Sequence, residues 1–317
     1  MKAELVIKAF EKAGRSIHLI GDLNFGVLVA LDLEGRLYTI IDGVVINRVN
    51  EEAIFGKSTR EKYINPGGDG LWPAPEGTSL GYHYNTGEWS VPVSVRNARY
   101  VVKHHSKYSA NIIAELDLVN NQGLGLPTIF KRNISINKNG NIHIVKVEES
   151  ITYVGVSSHS HDNCLIAPWT LSQFNSDVGN KVVFPGKNRE LIWDMYAESG
   201  LKEIKFKDGL YHIDTDGLNR FQIGLGGEIA WIQFLDYSNN MRIRRIADPI
   251  AKDQDYIDIS DVSPKIKPNS KGVRYSIYND STGFMELEAV GGCPKNIDSN
   301  IEIGVTVITE FEKIKKD

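Results

Sequence analysis

Cysteine is scarce in these 317 residues: only Cys164 and Cys293 occur. No C-x-x-C spacing exists, so a thiolate zinc site lacks its ligands. In a chain of this size two distant cysteines read as free thiols that pack as small hydrophobes. Long apolar runs are missing too. None approaches the roughly 20 residues of a membrane-spanning helix. Charge of one sign is missing as well, since the net charge is −4 with both signs scattered. That pattern offers no footprint for nucleic acid or an anionic membrane. The opening residues MKAELVIKAFEKAG interrupt their apolar positions with charges, unlike a secretory signal, and a cytoplasmic location is expected. The phosphate-binding G-x-x-x-x-G-K-[ST] and the zinc-binding H-E-x-x-H do not occur. GLGG at Gly224–Gly227 lies between strand patterns rather than ahead of a helix, so it is no nucleotide fingerprint.

Alternation is what the chain has in abundance. Residues 3–13 suit one amphipathic helix with Leu5, Val6, Ala9, Phe10 and Ala13 on one side and Gly14 at its end. Phe25–Asp42 reads as two strands around a turn at Glu34-Gly35, and INRVN and EEAIFGK read as a strand and a helical turn. Residues 108–120 alternate with Ile112, Ala114, Leu116 and Leu118 on one side. IFKRNISINKNGNIHIVKVEE reads as a hairpin whose Asn139-Gly140 supplies two positive-φ positions. A second hairpin turns near Ser238–Asn240, and three more strands close the chain. Residues 64–90, rich in Gly, Pro and aromatics, keep no period and read as a long irregular loop. No repeat, low-complexity tract or linker interrupts the pattern. The expectation is an all-β, large antiparallel sandwich forming one domain over residues 1–317, with a short N-terminal helix.

Four places could carry chemistry. In STGFMELEAVGG (Ser281–Gly292), a strand sends Met285, Leu287 and Ala289 to one face and Glu286 and Glu288 to the other. Adjacent like charges repel, so this face is either functional or simply solvated. In SSHSHDN, His159 and His161 share a face if the segment is a strand. They could then bind a metal or supply an acid, or they could mark a polar turn, and no third ligand is spaced to complete a metal site. The irregular loop offers Asp69, Trp72, Glu76, His83, Tyr84 and Trp89. Indoles can stack on a sugar's C–H face while carboxylates bond its hydroxyls, or the same indoles can staple the loop to the sheet. Arg132 beside Asn133, and Trp169 and Gln173 in APWTLSQF, are single polar or aromatic residues in strand context, with core packing the duller role of Trp169.

NPGGDGLWPAPE (Asn65–Glu76), HSHDNCLIAPWTLSQF (His159–Phe174) and GFMELEAVGG (Gly283–Gly292), in that order, resemble the galactose mutarotase-like superfamily. Within it the likeness is to bacterial aldose 1-epimerase-like proteins. The resemblance implies a β-supersandwich of two large antiparallel sheets with a sugar site on a concave face. It implies Glu288, in Leu287-Glu288-Ala289, as the base. His159 would be the acid, with His161 its rival, because the aromatic-Asn-Leu that follows the histidine in the known enzymes is missing here. Asp69, Trp72, Glu76, His83, Arg132, Trp169 and Glu286 would contact a mono- or oligosaccharide. No cofactor or metal is required. Two other functions fit the same face: saccharide binding without chemistry, and a glycosidase. Glu286 and Glu288 suit the last poorly, since they lie about 7 Å apart along one strand and point in parallel.

Overall fold

A computed structural model describes residues 1–59, 61–82, 91–195 and 204–314. Two ten-stranded antiparallel sheets face each other. The first runs β1 (Ile17–Gly21), β2 (Phe25–Ala30), β3 (Arg36–Ile41), β5 (Asp69–Ala74), β11 (Ala167–Asn175), β21 (Phe284–Val290), β20 (Tyr275–Asp280), β16 (Phe221–Leu225) and β13 (Ile192–Asp194), with β4 (Val44–Val45) beside β3. The second runs β14 (Lys205–Lys207), β15 (Leu210–Asp214), β12 (Lys181–Pro185), β17 (Ile232–Asp236), β18 (Met241–Ala247), β24 (Glu302–Lys313), β9 (Ile142–Tyr153), β8 (Gly125–Asn139), β7 (Ser109–Val119) and β6 (Val101–Ser106). Two short ribbons pair β10 (His159–Ser160) with β23 (Asn296–Ile297), and β19 (Gln254–Asp255) with β22 (Cys293–Pro294). The α-helices among the described residues are α1 (Ala3–Lys12), α2 (Glu51–Phe55) and α3 (Val93–Arg96). No helix among the described residues is long and apolar enough to cross a membrane.

The main core is the interlayer between the sheets, to which β7 contributes Ile112, Ala114, Leu116 and Leu118, and β21 contributes Met285, Leu287 and Ala289. A smaller core lies on the outer side of the first sheet. There Ala3, Val6 and Phe10 of α1 pack on Leu28, Ala30, Tyr38 and Ile40. The β2–β3 hairpin is therefore covered on both faces, which is why FGVLVA reads as a continuous apolar run. The stripe of α1 is Ala3, Val6 and Phe10, at spacings of three and four, and Leu5 lies off it, 56% exposed.

Three expectations change. Residues 69–74, read as irregular loop, form a strand in the middle of the first sheet, paired along its length with β11. INRVN forms no strand; Asn47 crosses there, accepting from Thr39 N at 2.8 Å and donating to Ser172 Oγ at 3.2 Å. In the β8–β9 hairpin Asn139 stays in the ladder opposite Ile142, and Gly140-Asn141 make the link. Only Gly140 has a positive φ, 57°, and glycine at the first linking position suits a type II′ connection.

Candidate functional site

On β21, Glu286 and Glu288 are 6% and 1% exposed, so the face that carries them is not the solvated one. Burial of both acidic side chains follows from their neighbours. Glu286 stands opposite Gln173 on β11 and Tyr278 on β20, and Glu288 opposite Leu171 and Ser276. Glu288 Oε2 accepts from Trp169 Nε1 at 3.0 Å and from Gln222 Nε2 at 3.2 Å. Gln173 Nε2 donates to Glu286 Oε1 at 2.5 Å, and Arg48 Nη1 holds the Gln173 amide oxygen at 3.1 Å. Burial raises the pKa of Glu286, opposed first by Arg36 and then by a hydrogen bond from Glu288. Burial and the adjacent Glu286 charge push Glu288 well above the carboxylate range. Of the two, Glu288 is pushed further and is the one favoured to keep a proton when the pair carries one.

A cavity of about 490 Å³ opens over these carboxyls. Trp72, Trp169, Leu171 and Phe284 supply its apolar surface, and Glu76, Arg220, Gln222, Asp261 and Asp280 its polar groups. The two indoles meet edge to face at 5.8 Å and are only 3% and 2% exposed. They line the cavity as packed walls rather than as an open platform. Trp72 Nε1 donates to Glu34 Oε2 at 3.4 Å, and the Arg36 guanidinium lies 5.3 Å over the Trp72 ring. Arg36 in turn pairs with Glu34 at 2.7 Å, and Tyr63 Oη donates to Glu34 Oε1 at 2.9 Å. The structure thus brings together Trp72, Glu76, Trp169, Glu286 and Glu288.

Asp69 and Arg132 are elsewhere. Asp69 points into the interlayer, its Oδ1 2.6 Å from Arg132 Nη2 and its Oδ2 2.6 Å from Arg245 Nη1. Arg132 Nη2 also pairs with Glu149 Oε1 at 2.7 Å, and Arg245 Nη2 donates to Thr170 Oγ1 at 2.7 Å. Arg132, Glu149 and Arg245 come from the second sheet and Asp69 and Thr170 from the first, so the cluster ties the layers. Burial lifts Glu149 to about 7, against the pull of Arg132. Neither Asp69 nor Arg132 lines the carboxyl cavity.

The histidines are elsewhere too. The strand that would have put His159 and His161 on one face is only two residues long, and the chain turns at His161. His159 Nε2 meets Tyr153 Oη at 3.1 Å, and His161 Nε2 meets Pro294 O at 2.9 Å. His161 borders a separate cavity of about 350 Å³ with Asp255, Tyr256 and Asp258. Neither histidine lines the Glu288 cavity. His83, Tyr84 and Trp89 lie outside the described residues. Gly77-Thr78-Ser79-Leu80-Gly81 spells G-x-S-x-G, which sequence reasoning passed over; these residues form bends and a turn beyond the end of β5, with Ser79 inside the turn rather than at a strand-to-helix elbow. Both cysteines are free and buried, and burial pushes each thiol up to about 12. Among the described residues no group of three or more His, Cys, Asp or Glu could hold a metal ion.

Gln173, singled out with Trp169, shares that residue's period-two face on β11 and holds Glu286. Sequence reasoning missed Gln222, on β16, and Glu34 and Arg36, at the β2–β3 turn, which hold Glu288 and Trp72 in place.

The model of a family of unknown function, DUF6786, matches residues 22–290. No curated protein matches the chain. Among solved structures, an Escherichia coli K12 protein provisionally described as an aldose 1-epimerase is 10% identical, with a TM-score of 0.60, over 95% of this chain and 100% of that one. The Slr1438 protein of Synechocystis sp. PCC 6803 is 11% identical, with a TM-score of 0.59, over 94% and 96%. A galactose mutarotase-like protein from Lactobacillus casei ATCC 334 is 12% identical, with a TM-score of 0.55, over 94% and 100%. The fold is that of the galactose mutarotase-like superfamily.

Proposed function

The chain belongs to DUF6786, a family of unknown function, and we propose that it binds an aldose and interconverts its anomers, as an aldose 1-epimerase-like isomerase. The observation that carries this reading is the adjacent pair Glu286 and Glu288, buried beneath a cavity of about 490 Å³. Its volume is in the range of small-molecule sites. The likeness of fold to proteins described as mutarotase-like or as aldose 1-epimerase adds support.

Anomer exchange needs one group to take the proton of the C1 hydroxyl and another to give one to the ring oxygen. Ionised Glu286 takes the first proton and protonated Glu288 gives the second. The C1–ring-oxygen bond breaks and the C1 carbonyl forms. The aldehyde turns about its bond to C2, the ring oxygen attacks the other face, and the two protons return. The pair's proton count is unchanged over the cycle, so no cofactor is consumed. Glu288, the base implied by sequence resemblance, starts here as the acid because burial and Glu286 keep its proton on. Each group contributes on the order of 10²–10⁴-fold.

Saccharide binding without chemistry is the second reading. It draws on the engagement of Glu288 by both Trp169 and Gln222. Saturation-transfer NMR at the anomeric protons of several aldoses separates the two. Exchange accelerated by the protein, and lost in E286Q and E288Q, is the expected result. Binding without exchange would sink the isomerase and leave the binder.

A further inference from the structure

The cavity over Glu286 and Glu288 is strongly unbalanced in charge. Among the described residues five carboxyl side chains line it: Glu76, Asp261, Asp280, Glu286 and Glu288. Arg220 is the one cation lining it among the described residues. That cation is already engaged, donating from Nε to Tyr278 Oη at 3.0 Å with its guanidinium 5.8 Å from the Tyr278 ring. Tyr278 Oη donates in turn to Asp280 Oδ2 at 2.5 Å. Arg48 stands behind the wall, 4.4 Å over the Phe284 ring, and acts on Glu286 and Asp280 from there. Even with one proton held by the glutamate pair, the lining is net negative. Asp261 adds a separate observation: its Oδ1 is buried and has no hydrogen-bond partner. A buried carboxylate oxygen without a donor is costly, and a ligand N–H would satisfy it.

Building on the saccharide reading above, we infer that this pocket selects its sugar by charge, taking an amino-substituted aldose ahead of its neutral parent and turning away phosphorylated and carboxylated sugars. An ammonium brings donors and counter-charge to Asp261 and its neighbours. A phosphate would have to shed water among carboxylates with no uncommitted guanidinium on the lining to receive it, and such like-charge juxtaposition is expensive.

Calorimetric titration of the wild-type chain with an aldohexose, its 2-amino-2-deoxy derivative and its 6-phosphate, in the gluco and galacto series, tests this at low and high salt. The amino sugar should bind more tightly than its parent and about tenfold or more tighter than the phosphate. The gap should narrow in 1 M salt. D261N should bring the amino sugar toward its neutral parent. Phosphate binding as tight as the amino sugar, an amino sugar no tighter than its parent, or a gap indifferent to salt would each overturn the charge selection while leaving the saccharide reading intact. Failure of every sugar to bind would overturn both.

Discussion

The indole N–H of Trp169 donates to Glu288 Oε2 at 3.0 Å from the neighbouring strand. The bond runs along the wall of the cavity and opposes the upward push of burial and of Glu286 on Glu288. In the proposed mechanism Trp169 is a positioning residue, whose hydrogen bond holds the carboxyl and lowers its pKa. Trp169→Phe keeps most of the packing and removes the donor. The pKa of Glu288 should rise further, and the alkaline limb of the anomer-exchange profile should move up with it. About 1–3 kcal/mol of stability should be lost, read by chemical denaturation. A pH profile unmoved in W169F would show that Glu288 does not titrate in the reaction.

In the proposed mechanism one proton shared by Glu286 and Glu288 sets the form of the pH dependence. Exchange requires one proton on the pair, so it should fail once both carboxyls are ionised and again once both are protonated. Burial raises both groups, so both limbs should lie above the ordinary glutamate value of 4.5. A rate flat from pH 4 to pH 9 would remove the pair from the chemistry.

The strand order of neither sheet was legible in the sequence, yet most of the strands were. Wherever one face of a strand is buried and the other is wet, as in β7 with Ile112, Ala114, Leu116 and Leu118, period two survives. β5 hid because all six of its residues are buried, which leaves no polar face, and because Gly70 and Pro73 read as punctuation. Pro73 is tolerated because β3 reaches β5 only at Leu37–Asp69, so one side of β5 is an edge at the proline. The glutamate pair was legible because its two members are neighbours on one strand. Asp69 was legible as a functional carboxylate, but its partners Arg132 and Arg245 lie 63 and 176 residues away. Nothing local distinguishes a carboxylate that meets a ligand from one that meets two guanidinium groups in the interlayer.

That difference can be measured at Asp69. D69N leaves Arg132 and Arg245 buried with one carboxylate, Glu149, where there were two. Breaking a buried pair this way costs about 3–5 kcal/mol, and the melting temperature should fall accordingly. Sugar affinity of the protein that remains folded should be unchanged, because Asp69 does not line the cavity. A D69N protein of normal stability and lost affinity would return Asp69 to the binding site.

H159A and H161A carry the matching test for the acid. Both should accelerate anomer exchange as the wild type does, since neither histidine lines the cavity. H159A should lose some stability, because Tyr153 Oη loses its buried partner. Loss of exchange in a folded H161A would reassign the acid and take Glu288 out of that role.

Glu149 gives the interlayer its own pH signature. Its folded pKa of about 7 stands above the ordinary 4.5. Between those values the native state holds a proton that the unfolded chain has released. Stability from this group is therefore full below pH 4.5 and lost as pH rises through 7, by on the order of 3 kcal/mol. Glu149→Gln cannot ionise and keeps an acceptor oxygen for Arg132. Relative to wild type, E149Q should gain stability steadily from pH 4.5 to pH 7 and hold that gain above it. Its amide N–H₂ has only the position of Glu149 Oε2 to fill, an atom without a partner, so the gain is set against one unsatisfied donor. Urea denaturation of both proteins at pH 4.5, 6 and 8 measures it. A constant difference between them across that range would mean that Glu149 is ionised throughout, held so by Arg132, and that Asp69 does not repel it.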